Sequence, residues 1–243
     1  MFGKNRQSRG TISELWCRTL LRYIPYNQII VRILDTIENM ETEEPNIIKE
    51  PISNYGDLNL NKLYTYWDYL NFQFEERVEL IRGRIMKMVP GPSFSHQKLS
   101  SSVHLKFYSL FKDKTKCQII YAPFDVKLPI PKGIKDSTVV QPDLLIVCDE
   151  SKLDERCCNG APDLVVEILS KSNQKHDLHT KFDLYEEAGV KEYWIADVQN
   201  KSILVYTLKD GKYIGLRPFA EDMNVESVLF PFLSFNVGEL FDF

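Results

Sequence analysis

The sequence predicts an α/β (α+β) fold in which strands and helices alternate along the chain. Short β-branched apolar runs bounded by turn residues, at 140–147, 162–170 and 192–197, read as buried strands. Apolar residues recur at helical spacing over 95–111 and 173–188. Clusters of Pro, Gly and Asn punctuate these segments where the chain must turn.

Residues 11–40 carry a helix-like pattern, with Ser13 as N-cap before Leu15, Trp16, Leu20, Leu21 and Tyr23. Residues 41–59 are poor in apolar side chains and read as a linker. An N-terminal helical and linker extension, 1–59, thus precedes a domain over 60–243. Leu63, Tyr66, Trp67 and Leu70 predict a helix over 61–71. Arg77–Ile81 and Ile85–Val89 flank Arg82-Gly83-Arg84, a β-hairpin signature. Pro90-Gly91-Pro92-Ser93 breaks it, and Ser95 then caps a helix running to about Phe111.

Strands follow at Cys117–Tyr121 and Phe124–Leu128, around Ala122-Pro123. A polar loop at 129–139 leads into Val140–Val147, and a loop at 149–160 leads into the strand of Glu167. The helix over 173–188 ends where Gly189 can supply the left-handed C′ residue. Strands at Glu192–Asp197 and Ser202–Leu208, then a turn at Lys209-Asp210-Gly211-Lys212 and a final strand, complete the reading.

The bulk composition bounds the function classes. The 243 residues are 44% hydrophobic, enough for one large core or two modest ones. No apolar stretch reaches the roughly 18 residues of a membrane span. Lys4, Arg6 and Arg9 are followed by no apolar segment of a secretory signal, since Glu14, Arg18 and Arg22 interrupt it. Five cysteines without Cys-x-x-Cys spacing argue against a disulfide framework and a structural zinc site, leaving Cys157-Cys158 as loop or strand-edge thiols. The expected location is cytoplasmic. A net charge of −4 gives no global basic field, although six Lys/Arg face one acid over residues 1–34.

Two carboxylates stand out, Asp143 in Val140-Gln141-Pro142-Asp143-Leu144 and Glu167 in Leu164-Val165-Val166-Glu167-Ile168-Leu169. A charge in a buried strand is costly unless it is paired or binds metal. Neighbouring strands lie about 4.8 Å apart, so two such acids can reach one cation. Asp163 is a rival, but it lies four residues from Glu167 on one strand, roughly 13 Å away, and more naturally starts the strand. Lys181 shares a helical face with Leu178, Phe182 and Tyr185. A cation on that apolar stripe needs an acidic partner or a phosphate, unless its stem snorkels to solvent. Glu79, in Val78-Glu79-Leu80-Ile81, is a third acid in an apolar strand, where a solvent-facing position is the alternative.

Pro142-Asp143 followed by a strand bearing Glu167 resembles the PD-(D/E)XK motif of restriction-endonuclease-like nucleases. More narrowly, an ordered set of blocks resembles the restriction endonuclease family greatly expanded in cyanobacteria. The set comprises Glu79–Gly83, Met88–Pro90 with His96-Gln97, Ala122–Val126, Gln141–Leu144, Gly160–Ser170 and Gly189–Ile195. It spans roughly residues 60–208, and residues 1–59 fall outside it.

The resemblance implies a restriction-endonuclease-like mixed β-sheet core flanked by helices. It implies Mg²⁺-dependent cleavage of DNA, with Mn²⁺ as a possible substitute and a homodimer as the expected assembly. Asp143 and Glu167 are then metal ligands and Glu79 a ligand or an orienter of metal-bound water. The sequence departs from the motif at Leu169, where a lysine is expected; related nucleases supply that lysine from the following helix, where Lys181 stands. Without it, a weak or inactive nuclease-fold protein that binds nucleic acid or protein is the alternative. Asp125 and Gln141 are secondary candidates, and His96, at a helix start, reads as a cap or core residue with phosphate or partner binding as the alternative; Asp177 is placed to pair with Lys181.

Overall fold

The computed structural model describes residues 50–88, 91–131, 133–169 and 176–242, and residues 47–243 form one compact unit. The predicted helix over 11–40 lies outside the described residues. The expected linker is part of the folded unit from residue 50 onward: Ile52 bridges Phe72 and Tyr55 packs edge-on against Phe74. Leu58 is buried with Tyr64 and Tyr66. Asn and Pro in this stretch shape an irregular segment laid against the domain, which composition alone cannot tell from a linker.

Two sheets make the frame. The central one has six strands in the order β11-β10-β9-β8-β6-β3: β3 Gln118–Tyr121, β6 Leu144–Val147, β8 Leu164–Leu169, β9 Glu192–Asp197, β10 Ser202–Lys209 and β11 Lys212–Gly215. Only β8 and β9 run parallel within it, so the sheet is mixed. The second sheet has the order β2-β1-β5-β4-β7: β1 Val78–Ile81, β2 Arg84–Lys87, β4 Asp125–Lys127, β5 Val139–Val140 and β7 Cys157–Asn159. A C-terminal hairpin, β12 Asn224–Glu226 and β13 Ser234–Asn236, lies beyond both.

The helices are α1 Tyr66–Tyr69, α2 Phe94–Phe111 and α3 His176–Ala188. The first is far shorter than the predicted 61–71, because Thr65 and Asp68 form a capping box that fixes the start of the helix. Ser93, not Ser95, caps α2: its side chain accepts the His96 backbone N–H, and the helix begins at Phe94. The β1–β2 turn has φ of 50° at Arg82 and 80° at Gly83, the positive pair that a two-residue type I′ turn requires.

The run read as one strand from Val140 to Val147 serves both sheets. Val139–Val140 pairs with β1 and β4, whereas Leu144–Val147 pairs with β3 and β8. Gln141-Pro142-Asp143 carries the chain from one sheet to the other, where Pro142 has no N–H to give to a ladder. The loop expected at 149–160 contains β7, parallel to β4.

Side-chain alternation sorts the central sheet into two apolar faces. Leu144, Ile146, Leu164, Val166 and Trp194 meet Leu99, Val103, Phe107 and Phe111 of α2, together with Phe230, Leu233 and Phe235 of the C-terminal segment. Leu145, Val147, Val165, Tyr193 and Ile195 meet Leu184 and Tyr185 of α3 and Val126 and Val140 of the second sheet.

The cysteine reading is corrected. Cys117 and Cys148 extend the β3–β6 register one step beyond Gln118 and Val147, and their sulfurs are bonded. Sequence spacing could not show this, since the register is a tertiary fact. Cys157 and Cys158 are free, buried thiols in β7.

Candidate active site

The site is built where the two sheets are stitched together. Leu144 pairs with Val166 across the antiparallel β6–β8 ladder, so Asp143 stands opposite Glu167. Alternation sends Glu167 to the face covered by α3, the same side as Val165 and Leu169. Helix α3 crosses that face, and its apolar stripe of Leu184 and Tyr185 seats it there. One turn before Tyr185, Lys181 reaches down between two acids. Its Nζ lies 2.9 Å from Glu167 Oε1 and 3.0 Å from Glu79 Oε1, with only 11% of its side chain exposed.

Sequence reasoning therefore named three residues that the fold does bring together, from β1, β8 and α3. Glu79 is buried, not solvent-facing. Its Oε1 also accepts the backbone N–H of Gln141 at 3.0 Å, from the segment joining the sheets. Asp143 contacts a different set. Its Oδ2 accepts the Ile168 N–H at 2.7 Å, and its Oδ1 lies 3.4 Å from His96 Nε2 in the first turn of α2.

Asp163 takes no part. It accepts the Cys148 N–H at 2.8 Å and pairs with Lys191, a strand-start role in keeping with its sequence position. Asp177, expected to pair with Lys181, lies outside the described side chains.

One cation cannot neutralise this many acids, and the charges respond accordingly. Burial pushes Glu167 up to about 7, with Lys181 opposing and Asp143 and Glu79 reinforcing the rise. For Lys181 burial acts downward, but Glu167 and Glu79 more than reverse it, and the ammonium is held charged well above its ordinary range. At His96 burial disfavours protonation and Asp143 outweighs it, leaving the pKa raised.

Two residues of the site were not recognised in the sequence as polar participants. The Tyr185 hydroxyl donates to Glu167 Oε1 at 2.7 Å. A tyrosine in an apolar helical stripe reads as core, and nothing in the spacing reveals its hydroxyl partner. The Tyr69 hydroxyl donates to Asp125 Oδ1 at 3.2 Å, while the Gln141 side chain donates to the same oxygen at 2.8 Å and accepts from Arg77 at 2.7 Å. The secondary candidates Asp125 and Gln141 thus form a hydrogen-bonded flank beside Glu79.

Carboxylate oxygens are the donors that hard divalent cations take. Asp143 and Glu167 face each other on adjacent strands, and such ions commonly take one or two carboxylates with waters and substrate phosphate oxygens completing the shell. Among the described residues no three His, Cys, Asp or Glu side chains form a complete ion-holding group.

Residues 64–238 match the Uma2 family, described as "Putative restriction endonuclease". No curated protein matches the chain. A crystal structure from Anabaena variabilis, described as a "putative nuclease belonging to DUF820", is similar in fold, with a TM-score of 0.59 at 19% sequence identity. The match covers 73% of this chain and 97% of that one.

Proposed function

The chain belongs to the Uma2 family, and from that membership we propose that it is a metal-dependent endonuclease hydrolysing phosphodiester bonds of DNA. The observation that carries the reading is Lys181, fixed by α3 at 2.9 Å from Glu167 and 3.0 Å from Glu79. In this reading a helix supplies the lysine that Leu169 cannot.

In this reading Asp143 and Glu167 would hold Mg²⁺ or Mn²⁺. Glu167 Oε1 is committed to Lys181 and Tyr185, so Oε2 is the oxygen for the ion. The bound ion supplies an activated water and neutralises charge developing on the phosphate. Lys181 presents a permanent positive charge beside the attacked phosphate, in a site dry enough for that charge to act strongly. Glu79, anchored by Gln141, orients the attacking water. Tyr185 fixes the rotamer of Glu167, and burial together with Glu167 keeps its phenol protonated as a donor. A homodimer is the assembly expected of an enzyme that cuts both strands.

A second reading has its own support. Lys181 already satisfies two carboxylates as a buried ion-pair node, and such a node holds a fold together without cutting anything. In that case the protein is a nuclease-fold binding module for nucleic acid or protein.

Supercoiled plasmid separates the two. The nuclease reading expects nicking with Mg²⁺ or Mn²⁺, none with EDTA, and a loss of roughly a hundredfold or more in Asp143→Ala. Equal nicking by that variant would sink the assignment. Binding of plasmid without nicking would favour the module.

A further inference from the structure

We propose that the outer face of α2, together with Tyr121 of β3, is a platform for single-stranded DNA that leads into the site at Asp143. The inference rests on the nuclease reading above and deepens it, by naming an unpaired strand as the substrate.

Charge picks out the segment first. Residues 94–121 carry five lysines and one acid, Asp113, in a chain whose net charge is −4. Lys106 is turned to Glu239, whereas Lys98, Lys112, Lys114 and Lys116 are exposed. Such a local excess suits a polyanion. It disfavours a second copy of this chain, because two such faces would set lysines against lysines.

Aromatic rings stand among these charges. Phe94, Lys98, Leu105, Tyr108 and Lys112 fall on one side of α2 and its C-cap at helical spacing, and all five are exposed. Phe94 is 78% exposed, Tyr108 55% and Tyr121 57%. His104 joins the two tyrosines: its ring stacks on Tyr108 at 6.3 Å and meets Tyr121 edge-on at 4.5 Å. The histidine thus holds both rings together at the surface. An unpaired base can lay its face on such rings, whereas bases in a duplex cover one another's faces.

The platform is continuous with the candidate site. Tyr121 pairs with Leu144, and the next residue, Ala122, donates its N–H to the Asp143 carbonyl at 3.1 Å. Phe94 lies two residues before His96, whose Nε2 is 3.4 Å from Asp143 Oδ1. A strand whose bases rest on the rings has its phosphates led past Asp143.

Fluorescence anisotropy of the full chain, in EDTA at one fixed salt concentration, tests this with labelled oligothymidine of about 12 nucleotides and a duplex of equal length. Wild type should bind the single strand at least about tenfold more tightly than the duplex. Tyr108→Ala and Tyr121→Ala should each weaken single-strand binding about fivefold or more and leave duplex binding within about threefold. Tyr108→Phe, which keeps the ring, should bind as wild type does, so a loss caused by misfolding is told apart. Equal affinity for strand and duplex overturns the proposal, as do alanine variants that bind like wild type. So does a wild-type dimer, seen by light scattering, that Tyr108→Ala splits, since a second copy then covers the face. Metal-dependent nicking without single-strand preference removes this proposal alone; tyrosine-dependent single-strand binding without nicking keeps it and removes cleavage.

Discussion

At Glu167 a single buried lysine faces two carboxylates, with Asp143 nearby, and the surplus negative charge has to be carried somewhere. Burial, then Asp143 and Glu79, raise Glu167 from 4.5 to about 7. A carboxyl raised in the folded state binds its proton more tightly there than in the unfolded chain. Its contribution to stability is therefore greatest at low pH and falls as pH rises from about 4.5 to about 7. Unfolding free energy measured against pH should show this fall in wild type. In Glu167→Gln the curve should lose a downward slope of up to about 1.4 kcal/mol per pH unit across that window. Identical slopes would mean that Glu167 titrates normally. The acids themselves were legible, because a carboxylate inside a β-branched run violates the pattern around it. Lys181 was legible for the same reason on a helix. The contact between His96 and Asp143 was not, since it joins two elements whose approach only the fold decides.

Among the elements, α3 matters most to the site, and its end is set by one residue. Gly189 has φ of 86°, and its N–H and that of Val190 both close on the Tyr185 carbonyl. A Cβ built there meets nothing within 4 Å, so Gly189→Ala carries only the backbone cost of a left-handed residue. Thermal denaturation should show a loss of about 1 kcal/mol, a fall of roughly 2–4 °C, with no change in cleavage. A much larger loss would point to rearrangement of the helix end. This C-cap was readable from sequence, as was strand β9, found over the predicted Glu192–Asp197. The 140–147 run was misjudged for a physical reason. Periodicity registers burial on both sides of Pro142, but it does not register that the two halves belong to different sheets.

For the molecule as a whole, the C-terminal segment decides whether α2 has a core to sit on. Phe230, Leu233, Phe235, Val237 and Leu240 pack there with the helix. The segment is pinned by Glu192, fully buried, which accepts Trp194 Nε1 at 2.5 Å and the Leu229 N–H at 2.7 Å. Glu192→Ala leaves both donors unpaired and should lower stability by about 3 kcal/mol in urea denaturation. Limited proteolysis should then open the chain near 227–230 first; unchanged protease resistance would show that the apolar contacts alone hold the segment. None of this was visible beforehand, because residues 216–242 form short pieces whose pairing is set by the rest of the fold. No described helix is long and apolar enough to cross a membrane.

The ion pair of Lys181 spans the joint between the two sheets, with Glu79 on one and Glu167 on the other. Neither sheet alone, nor both without α3, contains it. A chain that has folded only halfway therefore lacks this ion pair. Lys181 stands between its two acids only where both sheets and α3 are in place.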